Sequence, residues 1–280
     1  MKIAVMTDST AYMPKELRST YNIYMVPLSV TINGETYMEE VDITMQEFYQ
    51  KVKTAKHLPT TSQPSIGAFV EKFEELAQSY DAVITIHLSK KISGTYQAAI
   101  SAGQMVDGIK VYAYDSELSC MPQGIYAIEA AKMAQQQKTP EQIIKRLDQM
   151  KKKVRAYFMV DDLTHLQRGG RLSGAQATVG SLLKIKPVLH FVEGEIEPFE
   201  KIRTRKKALQ RIIGMLEDDA HMNNVSQVAF IHANVEEAAL NLQATFQQKY
   251  PSIETFISHF GPVIGTHLGE GALGAAWFTT

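Results

Sequence analysis

The feature that most limits what this chain can fold into is the regular return of short apolar segments separated by helix-length amphipathic ones. Ile3 to Thr7 reads as a buried strand and Ala82 to Leu88 as a near-continuous apolar run, the signature of a strand covered on both faces. Ile66, Phe69, Val70, Phe73, Leu76 and Ala77 recur at helical spacing, as do Tyr96, Ala99, Ile100 and Gly103. Val111 to Tyr114 and Val154 to Val160 read as further strands, and Thr139-Pro140-Glu141-Gln142 caps a helix carrying Ile143, Ile144, Leu147 and Met150. Ile23 to Ile32 is extended, Asn33-Gly34 signals a hairpin back through Glu35 to Met38, and Thr44-Met45-Gln46-Glu47 is a capping box. Strand and helix in alternation predict an α/β fold, a parallel sheet with helices on both faces.

The second half is patterned differently. Arg168-Gly169-Gly170-Arg171 interrupts the chain, and Pro187 to Val192 and Ile196 to Phe199 flank the hairpin signal Glu193-Gly194-Glu195. Thr204 caps a helix with Ala208, Leu209, Ile212, Ile213 and Leu216 on one face. Gln227 to Ile231 and Ile253 to Ser258 read as strands around a helix near Val235 to Gln248. A hairpin within an αβ pattern predicts a mixed sheet in a smaller α+β lobe. The 280 residues leave room for about two domains of ~150 residues each, and the division expected is an α/β lobe over 1–160 and the smaller lobe over 161–280.

Charge and composition exclude several functions. Lys+Arg 29 against Asp+Glu 30 gives a net charge of −1, without the basic excess of a nucleic-acid binder. No apolar run approaches the ~18 residues of a membrane span. One cysteine fits a reducing compartment, and the polar Thr7-Asp8-Ser9-Thr10 soon after the start is unlike a secretory signal, so a cytoplasmic location is expected. The 13 methionines serve either as ordinary core filler or as the lining of an adaptable apolar pocket.

Two hydroxyl-rich turns carry the most chemistry. Pro59-Thr60-Thr61-Ser62-Gln63-Pro64-Ser65 precedes the Ile66 helix, and Ser93-Gly94-Thr95 lies between the Ala82 strand and the Tyr96 helix. Helix N-termini gather free N–H groups and the positive end of the helix dipole, and accept a carboxylate or phosphate. The second turn also follows the carboxyl end of a parallel strand, where open α/β sheets bind ligands. Asp8-Ser9-Thr10 makes a third such turn. The plain alternative is N-capping, which Ser and Thr perform everywhere.

Other motifs are weaker. Gly269-Glu270-Gly271-Ala272-Leu273-Gly274 matches G-x-G-x-x-G, but only Ala275 to Thr280 follow it, so it lacks the helix and distal acid of a dinucleotide site. A close-packed turn is expected instead. His267 stands beside these glycines, while His87, His165, His190, His232 and His259 are scattered without metal-ligand spacing. Arg168, Arg171, Lys184, Lys186, Lys201, Arg203, Arg205, Lys206 and Lys207 cluster, either as a solvated helix start or as an anion- or partner-docking patch. The adjacent pairs Asp161-Asp162, Glu39-Glu40 and Asp218-Asp219 have diverging side chains and make poor acid–base partners. There is no P-loop, nucleophile elbow or kinase signature, and nothing marks Cys120 as reactive.

Taken in order, Thr7-Asp8-Ser9-Thr10, Thr61-Ser62-Gln63-Pro64-Ser65, Ile92-Ser93-Gly94-Thr95-Tyr96-Gln97, Gly169-Gly170-Arg171-Leu172-Ser173, Lys186-Pro187-Val188 and the histidine-plus-glycine tail make the chain resemble the DegV family along essentially its whole length. Members of that family serve as the fatty-acid-binding (FakB-type) subunits of bacterial fatty acid kinase. The resemblance implies two lobes enclosing one long-chain fatty acid. It further implies that Thr61, Ser93 and His267 hold the carboxylate, with Ser62, Gly94 and Thr95 beside them, and that Arg171 and Arg203 meet the phosphorylated head group or the kinase subunit. No catalytic residue, metal or cofactor of its own is implied, since the kinase subunit would bring ATP and Mg²⁺. A transient membrane contact for lipid exchange is also implied. Glu270 stands where the family tail often has proline, and an acid there would repel an anion unless it turns away or pairs with a cation. Two other readings stay open: a stand-alone fatty-acid carrier or sensor, and a hydrolase pairing His267 as base with Ser93 as nucleophile.

Overall fold

The computed structural model describes residues 1–173, 185–222 and 224–279. Strands β1 (Ile3–Asp8) and β2 (Ile23–Val26) run parallel, linked through the short helix α1 (Lys15–Thr20). The chain then leaves this sheet, so the extended stretch expected from Ile23 to Ile32 is two strands in two sheets. Strand β3 (Ser29–Ile32) turns at Asn33-Gly34 into β4 (Glu35–Met38). Both turn residues take positive φ, 51° and 89°, as a two-residue hairpin of this kind requires. After α2 (Met45–Lys53), which opens on the predicted capping box, β5 (Thr60–Ser62) pairs with the other edge of β3, Thr61 opposite Val30.

Helix α3 (Ile66–Ala77), strand β6 (Ala82–His87), helix α4 (Thr95–Gly103) and strand β7 (Lys110–Asp115) complete a four-stranded parallel sheet in the order β2-β1-β6-β7. All six residues of β6 are buried, which is why its sequence is so nearly apolar. Helix α5 (Cys120–Gln135) follows, then α6 (Pro140–Lys151), whose Thr139 capping box is also present. Buried residues run around α5 because it packs against β1 and β6 on one side and against the second sheet on the other.

That second sheet holds β8 (Val154–Met159), β9 (Val188–Val192), β10 (Glu195–Glu200), β11 (Val225–His232), β12 (Glu254–His259) and β13 (Leu273–Thr279), in the order β10-β9-β8-β13-β11-β12. Only β11 and β12 are parallel, so the sheet is mixed as predicted. Among the described residues the helices of this half are α7 (Thr164–Arg168), α8 (Arg205–His221), α9 (Glu236–Lys249) and α10 (Pro262–Leu268). The expected division at 160 needs correction: β8 closes the second sheet, against β13, so the sheets divide before Val154. The strand's own pattern shows that it is a strand, but its partner lies at the far end of the chain. A single core cluster reaches from Val5 through Val30 and Tyr126 to Phe158 and Phe278 and binds the four-stranded and six-stranded sheets and the small β4-β3-β5 sheet together. Among the described residues, no helix is long and apolar enough to cross a membrane.

Candidate functional site

Between the two sheets lies a cavity of about 290 Å³. Its apolar wall comes from both halves, with Leu28, Leu88 and Ile92 facing Phe158, Phe191 and Ile264. The space exists because β13 is built from small residues where it faces the other sheet. Gly274, Ala275 and Ala276 line the cavity beside Ala156 of β8, and Ala276 pairs with Ala156 in register. Interiors are otherwise filled to crystal density, so a strand of glycine and alanine leaves unfilled volume. At Gly274 a Cβ would stand 2.5 Å from Phe158 Cβ and 2.6 Å from the Tyr157 carbonyl oxygen. The GxGxxG match is thus two features: a tight turn, with Gly269 and Gly271 at φ 76° and 91°, and the first small residue of the cavity floor. No methionine is among the residues lining the cavity. Met6 and Met121 sit in the packed core, so the pocket-lining role weighed for methionine is not met.

One end of the cavity is polar, where Thr61, Ser62, Gln63, Ser93, Gly94, Arg171 and His267 come together. Thr61 reaches it from β5, an edge strand rather than the helix start expected for its turn; Ser65 caps α3, accepting from the Ala68 N–H. Thr61 Oγ1 and His267 Nε2 are 2.9 Å apart and hydrogen-bonded. His267 projects from the last turn of α10 and is half-buried. Burial, with the Arg171 and His165 charges nearby, pushes its pKa down to about 4, so the ring is neutral at pH 7. Ser93 Oγ bonds Thr95 Oγ1 at 2.9 Å and accepts from the Thr95 N–H at 3.3 Å. Thr95 itself is fully buried and does not line the cavity, so it supports Ser93 rather than facing a ligand.

Gly94 is the N-cap of α4, which has no side-chain cap. A Cβ at that position would displace the end of the Gln63 side chain, so Gly94 and Gln63 pack directly against each other. Arg171 links the halves: its Nε donates to the Ile92 carbonyl at 3.2 Å, and Nη1 donates to the Gly169 carbonyl. Arg203 is exposed ahead of α8 and does not line the cavity. A second hollow of about 260 Å³ lies on the far side of this polar end, lined by Thr61, Arg171 and His267 together with Leu58, His165 and Arg168. The Thr61–His267 pair therefore stands between an apolar chamber and an outer vestibule.

The third hydroxyl turn does not contribute. Asp8, Ser9 and Thr10 are all buried and spend their hydrogen bonds inside the protein. Asp8 accepts from His87 Nδ1, the Leu88 N–H and the Thr10 N–H, each at 3.0 Å. The Ser93–His267 pair of the hydrolase reading is not hydrogen-bonded here: His267 bonds Thr61 and Ser93 bonds Thr95. Glu270 turns away from the cavity, 3.1 Å from Lys53 Nζ and accepting from Asn234 Nδ2 at 2.6 Å, which removes the repulsion expected from an acid in the tail. Within the basic cluster, Asp161 pairs with Lys186 at 2.9 Å and Arg205 at 3.3 Å; Lys184 lies outside the described residues. Glu39 and Glu40 diverge as expected, Glu40 meeting Arg18 at 3.0 Å while Glu39 is buried.

Sequence reasoning passed over Gln63, Tyr157, Ser119 and Cys120, all of which line the cavity. Gln63 sits inside a motif already singled out, so its neighbours were the available signal. The Cys120 thiol is buried and its pKa is pushed up beyond the usual thiol range by desolvation, so it is an apolar wall rather than a nucleophile.

A polar end with three hydroxyls, an amide, a neutral imidazole and one guanidinium matches a carboxylate, which accepts several hydrogen bonds and carries one charge. The apolar remainder matches an aliphatic body. Similar proteins share this framework. The chain is 58% identical over 278 residues to Protein DegV of Bacillus subtilis, covering 99% of each. It superposes with a TM-score of 0.95 on the crystal structure of DegV, described as a fatty acid binding protein, from the same organism, at 57% identity and full coverage of both chains. A DegV family protein from Thermus thermophilus, described by its fatty acid binding, superposes at 0.91 with 32% identity, again over the whole of both chains. The family model described as "Uncharacterised protein, DegV family" matches residues 2–280. Since that match takes in every strand and helix that walls the cavity, from β1 to β13, the chain belongs to the DegV family.

Proposed function

We propose that this protein binds one long-chain fatty acid in the cavity between its sheets and presents the carboxylate to a separate ATP-dependent kinase subunit, which converts it to an acyl phosphate. The observation that carries the reading is the division of the cavity into an apolar chamber and a single polar end at Thr61, Ser93, Arg171 and His267. Each methylene buried in the chamber contributes ~0.8 kcal/mol, which retains the chain, while the polar end fixes the orientation. The fatty acid binding described for the two superposed structures supports the ligand class.

The protein's part in the reaction is positioning. Thr61 and Ser93 donate to the carboxylate, His267 sets its rotation, and Arg171 balances its charge. One carboxylate oxygen faces the vestibule, where a phosphoryl group can approach. Phosphoryl transfer depends chiefly on alignment and charge stabilisation, so the subunit that holds the acceptor contributes to the rate without binding nucleotide. ATP and Mg²⁺ belong to the kinase subunit. Arg203, exposed on the same half as the vestibule's Arg168, contacts that subunit or the new phosphate. The setting is cytoplasmic, with a brief membrane contact for loading.

Native mass spectrometry of the purified protein tests the ligand. The expected result is a mass increment of one fatty acid, and a protein that stays empty with added oleate would end the proposal. Mixing the loaded protein with a candidate kinase subunit and ATP tests the presentation step. Arg203→Ala is expected to leave oleate affinity within about twofold and to slow acyl phosphate formation. Equal loss of both would place Arg203 at the ligand, and no acyl phosphate from any loaded protein would leave a carrier.

A further inference from the structure

Helix α10 carries the ligand-facing side chains Val263, Ile264, His267 and Leu268, yet it has only seven residues and begins on Gly261 and Pro262, neither of which supplies a side-chain cap. So short a helix does not hold its own first turn, and the free N–H groups there need acceptors from elsewhere. They find them in the other half of the molecule. Glu39 Oε1 accepts from the Val263 N–H at 2.7 Å, and the Tyr12 hydroxyl accepts from the Ile264 N–H at 3.1 Å. Tyr12 in turn donates to Glu39 Oε1 at 2.7 Å, and Ser9 Oγ donates to Oε2 at 2.6 Å. Glu39 is completely buried and has no cation in contact among the described residues. A carboxylate at a helix N-terminus is favoured by the helix dipole, and each of its bonds is charge-assisted. Gly261 admits the Tyr12 ring against the backbone, where a Cβ would overlap it.

We infer that Glu39, acting with Tyr12, is the positioning residue for the fatty-acid head group: its carboxylate caps α10 from across the molecule and so sets where His267 stands beside Thr61. The inference rests on the lipid-binding reading for its ligand arm only. Protonation would turn one carboxylate oxygen into a donor and weaken the grip on α10 without unfolding the core. Burial raises the pKa of Glu39 to about 7, against the pull of Ser9, Tyr12 and the Val263 N–H. The ionisable groups around it are Glu40 next in the chain, Tyr12 on the turn after β1, Tyr49 on α2, Cys120 on α5, and His259 on β12, whose ring is 5.0 Å from that of Tyr12. His259 is itself pushed down to about 4 by burial, below the range in which Glu39 titrates.

The sign separates positioning from stability. A raised carboxylate pKa means that Glu39 favours the folded state fully below about 4.5 and that this contribution is lost as pH rises through about 7. Glu39→Gln is therefore not expected to lower global stability at pH 8. It is expected to weaken binding of the fluorescent fatty acid cis-parinaric acid about tenfold at pH 8, with the ratio to wild type closing toward one at pH 6; the ratio cancels titration of the fatty acid itself. Ligand-free hydrogen exchange supplies the second arm. The Val263 and Ile264 amides, corrected for intrinsic rates, are expected to lose protection between pH 8 and pH 6 in the wild type and to be unprotected at both in the variant. Tyr12→Phe, which removes the acceptor for Ile264 and keeps the carboxylate, is expected to lower protection while retaining the pH dependence, and it decides the matter if Glu39→Gln does not fold. Wild-type affinity and α10 protection in Glu39→Gln would overturn the inference. So would a loss of affinity at every pH accompanied by a fall in unfolding free energy. A protein that binds no fatty acid but shows the exchange pattern would remove the ligand and keep the grip of Glu39 on α10.

Discussion

The turn after β1 and the turn after β6 look alike in sequence and do opposite things. Asp8-Ser9-Thr10 and Ser93-Gly94-Thr95 each follow a buried parallel strand, and each sets hydroxyls ahead of a helical segment. In the first, every polar side chain is buried and consumed: Asp8 takes His87, Leu88 and Thr10, and Ser9 takes Glu39. In the second, Thr95 is buried but Ser93 and Gly94 face the cavity. A hydroxyl-rich turn is a ligand site only where the fold leaves bonding capacity open beside a void, and a strut where it does not.

The comparison is sharpest at Asp8. Asp8→Ala is expected to lower unfolding free energy by about 3 kcal/mol, because it strands the Leu88 N–H and the His87 ring in a dry interior; chemical denaturation measures it. Loss of fatty-acid affinity with normal stability would instead make the first turn part of the site. Ala276→Phe attacks the void behind the second turn. Titration with oleate should show binding reduced more than about tenfold, while the overpacked core loses about 1–3 kcal/mol; unchanged affinity would mean that the ligand lies elsewhere. Ser93→Ala should weaken oleate binding about fivefold and move stability by about 1 kcal/mol or less, so a large stability loss would make the two turns equivalent after all. The smallest effect concerns His267. With a native pKa of about 4 against 6.5 for the free side chain, its contribution to stability is complete above about pH 6.5 and is lost as pH falls toward 4. His259 shares that window, so His267→Asn is expected to flatten the acid limb of the stability curve only in part, and an unaltered limb would show that His267 titrates alike in the folded and unfolded states.

Much of this was legible beforehand. Periodicity located the strands and helices. The capping boxes at Thr44 and Thr139 and the Asn33-Gly34 and Glu193-Gly194 turns are local chemistry, decided by residues within four positions of one another. Thr61, Ser93 and His267, assigned to a carboxylate through the family resemblance, line one end of the cavity, together with Arg171, which the resemblance had assigned to a phosphate or the kinase subunit. The support role of Thr95 follows from its burial, since its partner Ser93 is only two positions away. The partner of β8, the consumption of Asp8 and the outward turn of Glu270 each depend on a residue distant in sequence. So does the value of Gly274-Ala275-Ala276, three small residues at the end of a GxGxxG match read only as a close-packed turn, which prove to line the chamber.

What the sequence determined by itself was therefore the set of elements, the neutral surface and the residues able to hold an anion, because propensity, capping and charge act over one or two turns of chain. What only the tertiary structure decided was which hydroxyls remain free, where the volume is left empty, and that a glutamate from the first half holds the helix carrying His267. Those outcomes depend on packing between segments far apart in the chain, 80 residues in the case of Asp8 and Leu88 and 224 in the case of Glu39 and Val263, and a hydrogen bond across such distances leaves no period in the sequence.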